Sequence, residues 1–255
     1  MEYFVEKNSI VRKIWGEPDC VMLIFAGAAA EFALNKAVDW LYFTGNLPKD
    51  PIGRLFSTVS YAGKIIYSEK KDALKTIDAI TSIHAGVENK RGSSIPEWAY
   101  RDVLYMLIHY SIASYEALAH KLSAAEKQEV YDVFYRLGER MKLKDLPLNY
   151  QEWLIDREFH LVHDLVKSGY SLDLFKQYKK HLGSFRYLIL LEGQILVAPS
   201  KVRQLLHLRS FSLLKPLLPL YKLSRAMKLD GRIKSMMLPG KYKHEIDKIS
   251  FEKKG

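Results

Sequence analysis

Apolar residues recur at spacings of three and four along most of this chain, and the strict alternation of a half-buried strand is nearly absent. That period points to packed helices, because a helix places residues three and four apart on one face. Residues 20–30 form the longest charge-free apolar run, from Cys20 through the Ala triplet to the residue before Glu31. The run is about half the ~20 residues that a membrane-spanning helix needs. It reads as a buried helix over residues 20–41, ended by the breakers Thr44, Gly45 and Pro48.

Local start signals divide the chain beyond Pro48. Asp50 before Pro51 is an N-cap followed by proline at the first helical position, and Ile52, Leu55, Phe56, Val59 and Ala62 continue the periodicity. A second start lies near Lys71 and Asp72, leading into Leu74, Ile77, Ile80, His84 and Val87, with a polar loop at residues 89–94. Pro96 and Glu97 open the most hydrophobic stretch, residues 101–122. Ser123 and Glu126 have the spacing of a capping box and launch a helix through Met141. Later helices are expected over 149–168, 172–182 and 184–197, with Pro199 ending the last. No internal repeat or low-complexity linker interrupts the 255 residues. The expected architecture is all-α: one compact multi-helix domain over 1–208 and a basic, leucine-rich C-terminal extension over 209–255.

Charge divides the same way. The net charge is +10, yet the first 200 residues hold 25 basic and 25 acidic groups, while residues 201–255 hold 14 and 4. Any partner that reads positive charge therefore reads the tail. There Leu213, Leu214, Leu217, Leu218, Leu220 and Leu223 interleave with Lys215, Lys222, Arg225 and Lys228, and Pro216 and Pro219 interrupt a clean helix. Two readings stay open for this segment: packing on the body with a solvated basic face, or peripheral contact with an anionic membrane. Nucleic acid is not expected, since no binding module or stacking platform is evident. The N-terminus lacks the basic-then-apolar order of a secretion signal, so a cytoplasmic location, peripheral to a membrane at most, is expected.

Several chemistries are excluded. One cysteine, Cys20, allows neither an intramolecular disulfide nor a cysteine-based zinc site. There is no Gly-x-Ser-x-Gly elbow, no phosphate-binding loop and no Gly-x-Gly-x-x-Gly. His160 and His163, followed by Asp164, invite a metal reading, but no Glu is followed by His three residues later, as a carboxylate-bridged diiron site needs. His84 shares a helix face with Leu74, Ile77 and Ile80. It reads either as a hydrogen-bonded core histidine or as a neutral imidazole ligand to haem iron. Arg54 and Thr58, one turn apart, read either as a snorkelling arginine with a back-bonded threonine or as a polar pair facing a pocket. His109, with Ser111 and Tyr115, lies on the hydrophobic 101–122 helix and reads first as a bonded core residue.

Taken in order, these residues resemble the rubber oxygenase (latex-clearing protein) family, which includes the fungal endoplasmic-reticulum oxygenase of mycophenolic acid biosynthesis. The segment Asp50-Pro51-Ile52-Gly53-Arg54-Leu55 with Thr58 is similar to the family's D-P-x-G-R-L-x-x-T. His84 through Val87 is similar to its H-x-x-V, with Asn89 where a glycine commonly follows. Asp102, Leu104, His109 and Ser111 resemble the next helix, and Leu122, Ser123 and Glu126 its L-S-x-x-E. The resemblance covers residues 17–208. It implies a b-type haem with His84 as the proximal ligand to iron, Arg54 and Thr58 as the distal polar pair, and His109 beside the cofactor. It also implies a carboxylate base, for which Asp39 is the candidate. The function it implies is a haem-dependent oxygenase using dioxygen on an apolar, alkenyl or lipid-like substrate. A haem-binding sensor or carrier, and a cofactor-free helical interaction protein, are the alternatives.

Overall fold

A helix with buried residues on every side must lie at the centre of a fold, and one here does. In the computed structural model, which describes residues 2–45 and 49–227, α1 (Ile10–Gly16) leads into α2 (Pro18–Phe32). Pro18 starts α2, and its buried residues, from Asp19 and Cys20 to Ala30 and Glu31, run around the whole circumference. The remaining helices are α3 (Val38–Phe43), α4 (Pro51–Tyr67), α5 (Lys70–Arg91), α6 (Glu97–Leu118), α7 (Ala124–Arg140), α8 (Tyr150–His163), α9 (Gly169–Val197), α10 (Ser200–Leu205) and α11 (Leu218–Ala226). A 3₁₀ turn at Lys215–Leu217 precedes α11. Among the described residues there are no β-strands, only two isolated bridges, so the fold is all-α as expected. The break expected at 46–48 and the extension past residue 227 lie outside the described residues.

α2 packs chiefly along α6 and also against α9, while α4 pairs with α5 and α6 with α7. The close approach of α2 to α6 needs Gly27: a Cβ there would stand 2.2 Å from the Tyr110 ring.

The capping signals locate the helix starts. Asp50 Oδ1 accepts from the Gly53 amide (3.1 Å), and Ser123 and Glu126 form the reciprocal capping box. Three boundaries differ from the sequence expectation. The helix expected over 20–41 is two, because Asn35 turns the chain: its Oδ1 accepts from the Ala37 amide (2.9 Å), and its Nδ2 donates to Asp102 Oδ2 (2.5 Å). The helix expected over 149–168 stops at His163, since the following residues bridge to the same linker, with the Val166 amide donating to Leu34 O (2.7 Å). The loop expected from Asn89 starts at Gly92, whose φ of 69° supplies the left-handed C-terminal turn. The expected break between 182 and 184 is a kink inside α9 at Gly183, where φ is 73°.

The tail packs on the body as far as it is described. Glu192 accepts from the Ser212 hydroxyl (3.1 Å) and the Leu213 amide (2.6 Å) and pairs with Arg209. Arg225 pairs with Glu17 (2.9 Å) and Asp19 (3.2 Å).

The central helix carries two buried carboxylates, Asp19 near its start and Glu31 near its end. Glu31, 1% exposed, is held by both terminal nitrogens of Arg157 on α8 (each 2.6 Å) and by the Tyr110 hydroxyl of α6 (2.8 Å). Arg157→Met leaves this carboxylate buried with the tyrosine alone, and urea unfolding should show a loss of about 3–5 kcal/mol. Adding Glu31→Leu should recover most of that loss, since no charge is then stranded.

Candidate functional site

α5 places its apolar positions inward because Ala73 and Ile77 are fully packed, with Leu74 and Ile80 against the same core. His84 follows one turn later at the edge of this packing, where the core gives way to exposed Ile83. Its Nδ1 is buried and has no hydrogen-bond partner. Its ring meets Tyr100 of α6 edge-on, centroids 5.2 Å apart. Burial and then the nearby Arg54 guanidinium hold the imidazole below its ordinary pKa; Glu88 acts the opposite way. The ring is therefore neutral near pH 7, the form in which an imidazole binds a metal.

The surroundings of His84 are well ordered by polar bonds. Glu88, one turn after it, accepts from the Ile95 amide (2.8 Å) and the Tyr100 hydroxyl (3.2 Å), so it fixes the ring that packs on His84. Sequence reasoning missed both Tyr100 and Glu88; the available signal was the helical spacing of Glu88 from His84. Arg54 Nη1 donates to Ser57 Oγ (3.0 Å), and Thr58 Oγ1 donates back to the Arg54 carbonyl (3.3 Å). The structure thus brings His84 and Arg54 within electrostatic reach and closes the Thr58 donor within its own helix.

The other two candidates sit elsewhere. Asp39 on α3 is paired with Arg91 at the end of α5 (2.6 Å), and that guanidinium lies 4.0 Å above the Trp40 ring. His109 lies nine residues beyond Tyr100 on α6, about 14 Å along the axis at helical rise. Its Nε2 is 3.4 Å from Val197 O, and it belongs with the Glu31–Tyr110–Arg157 cluster. His84 and His109 are not brought together.

Two further features are present. An apolar cavity of about 530 Å³ lies between α2, α4, α9 and residues 214–224. Ile52, Leu55, Phe56 and Val59 line it, and at 100° per residue their mean direction lies about 130° around α4 from that of Arg54 and Thr58. The second is a buried group in which His160 Nδ1 lies 2.5 Å from Asp102 Oδ1 and 2.8 Å from Asp164 Oδ2. These three side chains could hold a cation, each giving one ligand atom. They also satisfy one another, with Asn35 on the remaining Asp102 oxygen, and so tie three segments together. His163 does not join them: its ring stacks on Phe159 (3.9 Å) and its Nδ1 lies 2.8 Å from the Phe159 carbonyl.

Comparison with known families now bears on this geometry. Residues 13–154 match the model described as the ER-bound oxygenase mpaB/B′ and rubber oxygenase catalytic domain. The chain belongs to this family. The match covers Glu31, Asp39, Arg54, Thr58, His84, Asp102 and His109, and it ends before Arg157 and His160, short of the expected residue 208. The family is one of oxygenase catalytic domains. No curated protein and no solved structure matches the chain.

His109 supplies a pH test of the buried Glu31–Tyr110–Arg157 cluster. Burial and then the Arg157 charge push it down to about 4, so the folded state stays neutral where the unfolded chain, near the ordinary 6.5, takes a proton. Its contribution to stability is full above pH 6.5 and is lost as pH falls toward 4. Denaturation across that window should lose at most about 3 kcal/mol to this group, less because part of the ring reaches solvent. His109→Gln should flatten that part of the profile.

Proposed function

We propose that the protein is a haem b-dependent oxygenase acting on an apolar, alkenyl or lipid-like substrate, in which His84 would hold the iron. One observation carries the reading: a buried imidazole nitrogen without a hydrogen bond, on a ring kept neutral by burial and by a neighbouring cation. A core histidine kept for packing normally finds a partner for such a nitrogen, because leaving it unpaired costs about 1–3 kcal/mol. A ring left neutral in this way can give its other nitrogen, Nε2, to a metal.

The residues present fit such a group. His84 would hold the iron, and Arg54 would offset a propionate carboxylate through charge and hydrogen bonds. The Thr58 hydroxyl spends its proton on the Arg54 carbonyl and keeps its lone pairs, so it would still accept a hydrogen bond. Tyr100, held by Glu88, would fix the plane of the His84 ring. Haem supplies dioxygen binding and electron transfer; the chain supplies orientation and a dry surround. Asp39 remains the candidate base, though its partner Arg91 must release it before it can take a proton. His109 is not needed in this arrangement.

Purified protein titrated with haemin should bind about one equivalent and develop a Soret band. His84→Ala should abolish or strongly shift the band while far-ultraviolet circular dichroism stays unchanged. Arg54→Ala should weaken haem uptake about tenfold, the equivalent of one charge-assisted bond. Protein that takes up no haemin, or a His84→Ala variant that binds as the wild type does, contradicts the reading. Dioxygen uptake with an apolar alkene then separates an oxygenase from a haem carrier.

A further inference from the structure

α11 is amphipathic in the reverse sense. Its polar side chains face the body: the Tyr221 hydroxyl donates to Asp19 Oδ2 (3.0 Å), Lys222 Nζ donates to the Ala119 carbonyl (2.9 Å), and Arg225 pairs with Glu17 and Asp19. Its apolar side chains face out, with Leu220 at 67%, Leu223 at 56% and Met227 at 59% exposed. Their spacings of three and four place them on one face. Phe211, Leu213 and Leu217 before the helix are likewise half exposed or more, as are Phe185 and Leu188 on α9. Single exposed leucines are ordinary on a protein surface, whereas a run of this density marks a contact.

We propose that this arm, residues 211–227, together with Phe185 and Leu188, seats the protein on an anionic lipid bilayer. Charge selects the partner. Residues 169–227 contain ten Lys and Arg and two acidic side chains, Asp173 and Glu192. Both acids are engaged: Glu192 by Arg209, Ser212 and the Leu213 amide, Asp173 by the Tyr42 hydroxyl (3.0 Å). Lys215 stands exposed beside the Phe211 ring, 5.8 Å from its centroid. Leucines that enter the acyl boundary with lysines at the headgroups are the pattern of an interfacial segment. A second copy of this chain fits worse, because a self-complementary contact would bring the basic rims together.

The polar bonds explain how the arm holds its shape with its leucines in water. Glu192 pins its start and the Asp19–Tyr221–Arg225 group pins its helix, so the apolar face need not be buried for the segment to fold. No described helix is long and apolar enough to cross a membrane, so the contact is with one leaflet. The apolar cavity opens on this same face, since Phe185, Leu217 and Leu220 line it and are each more than half exposed. A molecule dissolved in the bilayer would reach it without crossing water. The inference stands apart from the haem reading and survives its failure.

The test uses the full chain and sucrose-loaded vesicles of phosphatidylcholine, alone or mixed with phosphatidylserine. The protein should sediment with the mixed vesicles and much less with phosphatidylcholine alone, and raised salt should release it. Leu220→Asp combined with Leu223→Asp should weaken sedimentation at least tenfold while keeping the helical spectrum and the melting temperature. Protein left in the supernatant overturns the proposal. So does binding that survives the double substitution, which would assign it to the basic residues past 227. A wild-type dimer that the double variant converts to monomer also overturns it, in favour of contact between copies.

Discussion

The Glu31–Arg157 ion pair is the constraint on which the rest of the arrangement depends. α2 is buried on every side, so a carboxylate on it cannot reach water, and stranding one there costs several kcal/mol. Arg157 answers with two parallel bonds from α8, and Tyr110 adds a third from α6. Three helices far apart in sequence are thereby fixed in register by one side chain. The Tyr110 ring packs against α2 where it makes this bond, and Gly27 is the residue that leaves room for it. With α6 so placed, Tyr100 meets His84 at one end and Asp102 meets His160 further along.

What could be read in the sequence was local. The starts of α4 and α7 follow from Asp50-Pro51 and from Ser123 with Glu126, because a cap is made by residues within one turn. Family membership was legible for the same reason, through short ordered segments. The division of the 20–41 helix was not legible, since Asn35 turns the chain by bonding to Asp102 and by pairing its segment with Leu165. Glu31 did carry a signal: a charge within the most apolar helix demands a partner. Its identity, 126 residues away, is a property of the fold. His160 and His163 were read together from spacing alone, and packing sends one to a buried carboxylate pair and the other to the surface.

α4 is where the proposed functions meet. One face presents Arg54 toward His84, and a different face walls the apolar cavity that opens beside the exposed leucines of the C-terminal arm. The same helix therefore separates a polar, cation-bearing environment from a largely apolar one.

The haem assignment turns on whether the neutral His84 ring is a ligand. The most direct measurement is chemical rescue. In His84→Gly the ring is replaced by space, and added imidazole should restore the iron–histidine stretching band of the ferrous protein in resonance Raman spectra. Restoration by imidazole in His84→Gly, with no such effect of imidazole on His109→Gly, is the predicted result. A ferrous wild-type protein whose iron–histidine band persists unchanged in His84→Gly without imidazole would contradict the assignment and send the iron to another residue.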